Sequence, residues 1–207
     1  MKATIIYLLA LFCAITFAGC DDDDKGLETQ PHDKNEMMSI MHDMSEEMSA
    51  MQMTGDADHD FSMMMKMHHQ GAINMGNKEI EKGDDATIKA IAQTMIDMQQ
   101  SEIQELQSFL DNHTVAPSEE GEMWGMEAME TMERMDRNSD LEVLTGDTDH
   151  DMAILMINHH QSAMDMAQSL LHHGHHDELK EMAAKMIDDQ SKEIKDLQNW
   201  LLQNKNY

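Results

Sequence analysis

The chain contains two copies of a related sequence: DHDFSMMMKMHHQGAINM at residues 58–75 and DHDMAILMINHHQSAMDM at residues 149–166. The copies lie 91 residues apart without a gap, and the correspondence extends from Met38 against Met129 to Leu110 against Leu201. A repeat of this length fixes the organisation of the chain before any local sequence pattern is interpreted. The protein is one structural unit used twice.

Apolar residues recur in both units with the period of amphipathic helices, and strand-like alternation is absent from the sequence. The predicted helices cover residues 37–53, 58–82, 86–111, 122–138, 149–173 and 177–203. Four of them are long and joined by short turns, which predicts an all-α fold, an antiparallel four-helix bundle built from two repeated helix pairs. The two Met-rich helices, 37–53 and 122–138, would be accessories that pack on the bundle or lie loose. Gly71 and Gly76 inside a helix predict close approach of a neighbour.

The start of the chain predicts export. Lys2 and the apolar residues 3–18 are typical of a secretory signal peptide over residues 1–19, too short for a stable membrane span. The sequence FAGC at residues 17–20 resembles a bacterial lipobox, which implies lipidation of Cys20. The protein would then be a membrane-anchored lipoprotein of the cell envelope, on the periplasmic or the cell-surface side. The alternative is ordinary secretion with Cys20 free.

The rest of the chain divides around its two prolines outside the helices, Pro31 and Pro117. Residues 20–36 predict a flexible tether. Residues 37–111 form the first repeat, 112–121 a linker and 122–203 the second repeat, both repeats contributing to one bundle. After signal removal Cys20 is the only cysteine, so no intramolecular disulfide can form.

The formal net charge of −27 restricts the partners. Nucleic acid is excluded, because phosphate binding requires clustered Lys and Arg. Docking of the folded part on an anionic membrane is disfavoured, which leaves the lipid anchor as the membrane contact. The charge suits a protein that attracts metal cations, although acidity also keeps an exported protein soluble.

Methionine and histidine dominate the composition, with 26 and 13 residues against four Phe, two Trp and two Tyr. Methionine fills cores but specifies them poorly, so packing alone does not explain this choice. Thioether and imidazole ligands suit Cu(I) and, by extension, Ag(I). Thioethers carry no proton, so metal binding there does not compete with protonation.

The candidate ligands lie on the helical faces that carry the repeat. His68 is placed near the centre of the inward stripe and His69 at its edge, and both recur in the second unit. The predicted metal ligands are Met64, Met65, His68, His69, Met75, Met95, Met156, His159, His160, Met166 and Met186. Gln99, Glu102, Gln190 and Glu193 would hold the free imidazole nitrogens. The alternative is that these histidines are satisfied core residues.

Two further histidine groups allow two interpretations each. The tract HHGHH at residues 172–176 has no histidine counterpart in the first repeat, and is either an auxiliary metal sink or a solvated turn. His59 and His150 lie among aspartates that either cap helices or form a mixed site for Cu(II) or Zn, and capping is favoured.

The repeated His-His-Gln-x-Ala-x-x-Met, followed by Gln-x-x-Glu-Ile-x-x-Leu-Gln, resembles domain-of-unknown-function family 305, whose CopM-like members bind copper and silver in the periplasm. The resemblance implies a ferritin-like helical bundle. It places the signature on His68, His69, His159 and His160, with Met65, Met75, Met156 and Met166 around them. Leu155 and Asn158 replace Met64 and Met67 in the second copy, so that site should be poorer in sulfur.

We therefore expect an envelope lipoprotein that binds Cu(I) or Ag(I) for metal tolerance or trafficking, and not an enzyme. A metal donor or acceptor protein would be a further partner, of unknown identity. One alternative is a structural or partner-binding bundle with adaptable Met-rich surfaces. The other is a di-iron carboxylate oxidase, which requires Glu-x-x-His on two helices, a spacing that the sequence lacks.

Overall fold

The computed structural model describes residues 28–204, which contain helices and no strand. After a 3₁₀ turn at His32–Lys34, the helices are α1 Glu36–Ser49, α2 Ala57–Lys82, α3 Ala86–Asn112, α4 Glu119–Asp140, α5 Thr148–His173 and α6 Asp177–Gln203. The predicted all-α bundle is confirmed. The predicted signal peptide and Cys20 lie outside the described residues.

The two main helices that carry the repeat begin after identical turns. The Asp56 side chain caps α2 by accepting hydrogen bonds from the backbone N–H groups of Asp58 and His59. The Asp60 carboxylate accepts from Thr54 N and Gly55 N at 2.9 and 3.0 Å, and Gly55 has a φ of 80°. This turn ends α1 at Ser49, earlier than predicted, because the residues before α2 are drawn into it. Asp151 holds Thr145 and Gly146 in the same way.

Helices α2 and α5 lie at the centre and pack against each other. Each has its own partner, α3 on α2 and α6 on α5, while α3 and α6 meet only over a short stretch. Helices α1 and α4 contact both central helices and each other. The Met-rich helices are therefore integral to the core and not loose, and they bury Met38, Met41, Met44, Met132 and Met135.

Close approach occurs at both glycines of α2. A Cβ atom on Gly71 would collide with the side chain of Met44, and one on Gly76 would lie 2.8 Å from Met95 Cε. The predicted close packing is confirmed, and it brings α1 against one face of α2 and α3 against another. In the second unit Ser162 occupies the position of Gly71.

Each unit also supplies an aspartate that accepts hydrogen bonds from a turn of the other unit. Asp58, at the start of α2, accepts a 2.9 Å hydrogen bond from His175 N in the turn before α6. Asp149, at the start of α5, accepts from Asp84 N and Asp85 N at 2.9 and 3.0 Å in the turn before α3. These reciprocal contacts satisfy backbone donors that the helix starts leave free. They join the two repeats into one bundle.

The segment before α1 is docked on the second unit. Gln30 N donates to Leu144 O at 2.7 Å, and Asn35 Nδ2 donates to Asp151 Oδ2 at 2.6 Å. His32 Nε2 lies 2.9 Å from Glu142 O. Residues 30–36 therefore differ from the flexible tether predicted for them. Within residues 28–204, none of the helices combines the length and the apolarity needed to cross a membrane.

Candidate metal centre

The centre of the bundle holds two imidazoles in contact. His68 from α2 and His159 from α5 are fully buried, and their ring centroids lie 3.7 Å apart at an interplanar angle of 43°. The inward orientation predicted for both residues is what the structure shows. Because the rings touch, the two repeats share one centre here, whereas the sequence suggested one site in each unit.

The hydrogen-bond network assigns the tautomer of both rings. His159 Nε2 lies 3.1 Å from the backbone oxygen of His68, which can only accept, so His159 Nε2 carries the proton. Ser162 Oγ donates to the backbone oxygen of His159 at 2.7 Å and lies 2.8 Å from His68 Nε2. Its lone pair therefore accepts from His68 Nε2–H. Both rings are left with an unprotonated Nδ1.

His69 and His160 lie beside this pair and face the outer helices. His69 was placed at the edge of the stripe, but it is as fully buried as His68, because α3 covers that face. Its Nε2 lies 2.9 Å from Glu102 Oε2, an ion-pair distance without hydrogen-bond alignment. In the second unit His160 Nε2 lies 2.8 Å from Glu193 Oε2. The two glutamates thus hold the outer imidazoles and not the central pair.

Buried polar atoms without a hydrogen-bond partner are concentrated in this core. The Nδ1 atoms of His68, His69, His159 and His160 are all buried without a hydrogen-bond partner. The side-chain amides of Gln99 and Gln190 are buried and equally unpartnered, so the predicted bonds from these amides to the histidines are not formed. A buried polar group left without a partner costs about 1–3 kcal/mol. Such groups are rare in native proteins, so their accumulation in one place indicates a binding site.

Two methionines outside the predicted set, on the Met-rich helices, lie next to the histidine core. The predicted sulfur ligands Met64, Met65, Met75, Met95, Met156, Met166 and Met186 are all buried in the core. A thioether of α4 lies against the histidine network: Met135 Sδ is 3.1 Å from Ser162 Oγ, the hydroxyl that donates to the His159 backbone oxygen. Met44 of α1 packs at Gly71, the equivalent position. Met44 and Met135 were not among the predicted ligands, although their equivalence in the repeat was a signal that could have pointed to them.

The central imidazoles are neutral over a wide pH range. Burial, and then the neighbouring His159, His69 and His160, lower the pKa of His68 well below its ordinary value. Burial likewise lowers the pKa of His159 well below its ordinary value, followed by the effect of His160 and His69. A metal ion binds the neutral ring, so the site keeps its ligand form in mildly acidic solution.

The donor set fits a soft ion. Within residues 28–204 no three histidine, cysteine, aspartate or glutamate side chains converge as a metal-binding group. The core instead buries imidazole nitrogens and methionine thioethers, the donor types that Cu(I) accepts. His59 and His150, by contrast, lie 3.3 and 3.1 Å from Asp60 and Asp151, whose carboxylates already hold backbone donors. Among the aspartates around these histidines, Asp56 and Asp147 cap the two helices, and Asp60 and Asp151 hold the turns before them.

These features define a class of protein: an all-helical bundle of two repeated units whose central helices each bury a His-His pair among methionines. The chain belongs to the DUF305 family, "Domain of unknown function", whose matches cover residues 21–110 and 58–201. The two overlapping matches agree with the internal repeat. The family predicted from the repeated motif is confirmed.

Solved structures share the fold. A DUF305 protein from Streptomyces coelicolor matches with a TM-score of 0.57 at 22% identity, covering 72% of this chain and 94% of that one. A DUF305 fragment from Deinococcus radiodurans matches at 0.52 and 21% identity, covering 71% and 96%. CopM in its Ag-bound form matches at 0.53 and 25% identity, covering 71% and 96%. A search among curated proteins finds no significant match.

Proposed function

We propose that this protein binds Cu(I) or Ag(I) inside the bundle and serves metal tolerance or trafficking in the cell envelope. One observation carries the proposal: all four imidazoles of the two His-His pairs have a buried Nδ1 without a partner. The Ag-bound state of CopM, at 25% identity, supports the same class of ligand. The envelope location rests on the signal sequence and on Cys20, through which the chain would be lipid-anchored.

The residues divide into ligands and supports. His68 and His159 would supply Nδ1, while Ser162 and the His68 backbone oxygen hold their Nε2 atoms. Holding the second ring nitrogen fixes the ring orientation and the basicity of the ligand nitrogen. Met135, which already contacts Ser162, and Met44, its repeat equivalent, are the first thioethers to test.

The metal is cargo in this proposal, and the protein is a binding protein and not an enzyme. The net charge of −27 favours approach of cations from solution. Inside the core a thioether can be neither protonated nor drawn into a disulfide, so a Met-rich site suits an oxidising compartment. Oxidation to the sulfoxide is the chemical threat that remains.

The test is a Cu(I) titration under anaerobic, reducing conditions against a competing chelator. Because the two rings touch, His68→Ala and His159→Ala should each abolish the same high-affinity equivalent and lose capacity equally. His42→Ala is the matched control, since His42 is exposed and paired with Asp140 at 3.1 Å. Circular dichroism would verify that each variant is folded.

Three outcomes can be separated. Equal losses support one shared centre. A larger loss from His68→Ala would restore the two-site interpretation, in which the first unit is richer in sulfur through Met64 and Met67. Binding like the wild type in both folded variants would refute the proposal and return both histidines to a packing role.

A further inference from the structure

We propose that His113 and His176 form a second, separate site for a borderline divalent ion, Cu(II) or Zn(II), at the end of the bundle. There the start of α2, the end of α3 and the turn before α6 meet. His176 belongs to the histidine tract, and His113 follows α3 directly. This site differs from the central one in position, in donor type and in its access to solvent.

The two rings are spaced as ligands of one ion. Their centroids lie 4.9 Å apart at an interplanar angle of 82°. Two imidazoles that bind one ion at about 2.0–2.1 Å with a near-tetrahedral angle have centroids roughly 5 Å apart. Phe109 fixes this arrangement, because it stacks on His113 at 4.8 Å and meets the edge of His176 at 5.1 Å.

A buried carboxylate prepares His113 for this role. Asp56 Oδ2 lies 2.7 Å from His113 Nε2 and accepts from Ala116 N, also at 2.7 Å. The carboxylate thus keeps the proton on Nε2 and leaves Nδ1 as the donor atom. A carboxylate behind a metal-binding histidine is a recurrent arrangement in metal sites.

An acidic groove leads to the pair. It has a volume of about 890 Å³ and lies between α3 and α6, where these helices diverge. Glu102, Glu105, Glu178 and Glu181 line it, against the single cation Lys185. A groove lined by one sign of charge raises the local concentration of the opposite ion. Glu102 also contacts His69, so the groove extends from the histidine pair to the rim of the central site.

The expected coordination follows from the surrounding side chains. The His59 ring lies 6.4 Å from that of His113, but in the described part of the chain no group of three histidine, cysteine, aspartate or glutamate side chains is placed to hold one ion. Water would therefore complete the coordination. Nitrogen and oxygen donors select Cu(II) or Zn(II) over Cu(I).

The equivalent positions in the other unit provide a comparison for this histidine pair. The positions equivalent to Phe109, His113 and His176 in the other unit are Trp200, Asn204 and Asp85, so neither histidine of the pair has a histidine counterpart there. The fold of the unit therefore does not require the imidazoles. Only the end built from α3 and the tract carries them.

The test is a Zn(II) titration, together with Cu(II) electron paramagnetic resonance, on the full chain. His113→Asn introduces the residue of the other unit. His176→Asn preserves folding, since His176 is the N-cap of α6 without a side-chain bond and Asn is a better cap. Each should weaken Zn(II) binding at least about tenfold and remove the nitrogen splitting of two imidazoles from the Cu(II) spectrum. His172→Asn is the control, because His172 is an exposed member of the same tract.

Binding like the wild type in both variants would overturn the site. An equal loss in His172→Asn would assign the metal to the tract as a whole and would also overturn it. Cu(I) uptake at the central pair should be unchanged in His113→Asn. The second site can therefore stand if the central one fails, and the reverse.

Discussion

Glu79 makes the stability of this protein depend on pH. It is fully buried near the end of α2, at a position where the second unit has Leu170. As a carboxylate it has no donor for either oxygen, but as an acid it donates to Asp149. Asp149 in turn accepts hydrogen bonds from Asp84 N and Asp85 N. Burial, and then Asp149, raise the pKa of Glu79 to about 8.

The sign and size of the effect follow from this shift. In the unfolded chain Glu79 ionises near its ordinary pKa of 4.5, and in the folded protein near 8. The unfolded state therefore releases its proton first, and folded stability is lost as the pH rises from 4.5 through 8. At about 1.36 kcal/mol per pKa unit, the whole interval corresponds to about 5 kcal/mol, which relaxation and water entry reduce.

Glu79→Gln is the perturbation of choice, since its amide can still donate to Asp149 but cannot ionise. Urea unfolding of variant and wild type between pH 5 and pH 8 isolates Glu79, because the opposing titration of His68 and His159 occurs in both proteins. The stability of the variant relative to the wild type should increase by about 3 kcal/mol over this range.

Glu47→Gln is the control for this experiment, as Glu47 is exposed on α1. Its difference from the wild type should be constant with pH. If the Glu79→Gln difference is constant as well, Glu79 is ionised in the folded protein and the reasoning from its burial is wrong.

Three further predictions concern the metal and the anchor. The double variant Met65→Leu, Met75→Leu keeps the core volume, so its free energy of unfolding should stay within about 1.5 kcal/mol of the wild type. It should nevertheless bind Cu(I) more weakly in chelator competition, and an unchanged affinity would show that these two thioethers are not ligands. Because the pKa values of His68 and His159 are lowered, Cu(I) affinity should stay nearly constant between pH 7 and about pH 6 in the same assay. A tenfold loss of affinity over this range would mean that the metal is bound by imidazoles with an ordinary pKa. Cys20→Ser should move the protein from the membrane to the soluble fraction, and continued membrane association would argue against lipidation.

The site was predictable in its residue types but not in its assembly. The helical period placed His68 inward and the repeat added His159, and both are buried as expected. Periodicity states which face of a helix is apolar, but not how far a neighbouring helix covers its edge. His69 was therefore misplaced at an edge that α3 covers, and Met44 was overlooked as part of an accessory helix.

The sequence by itself determined the family, the two units, the six helices with nearly all their bounds, and the close packing at Gly71 and Gly76. These follow from local signals: the spacing of apolar residues, the caps, and a repeat without gaps. The tertiary structure alone decided that α2 and α5 meet at their histidines, so that two equal motifs form one centre. It also decided that Asp149 caps the turn before α3 and raises the pKa of Glu79. Such pairs lie tens of residues apart, and a repeat shows that two segments are alike without showing that they touch.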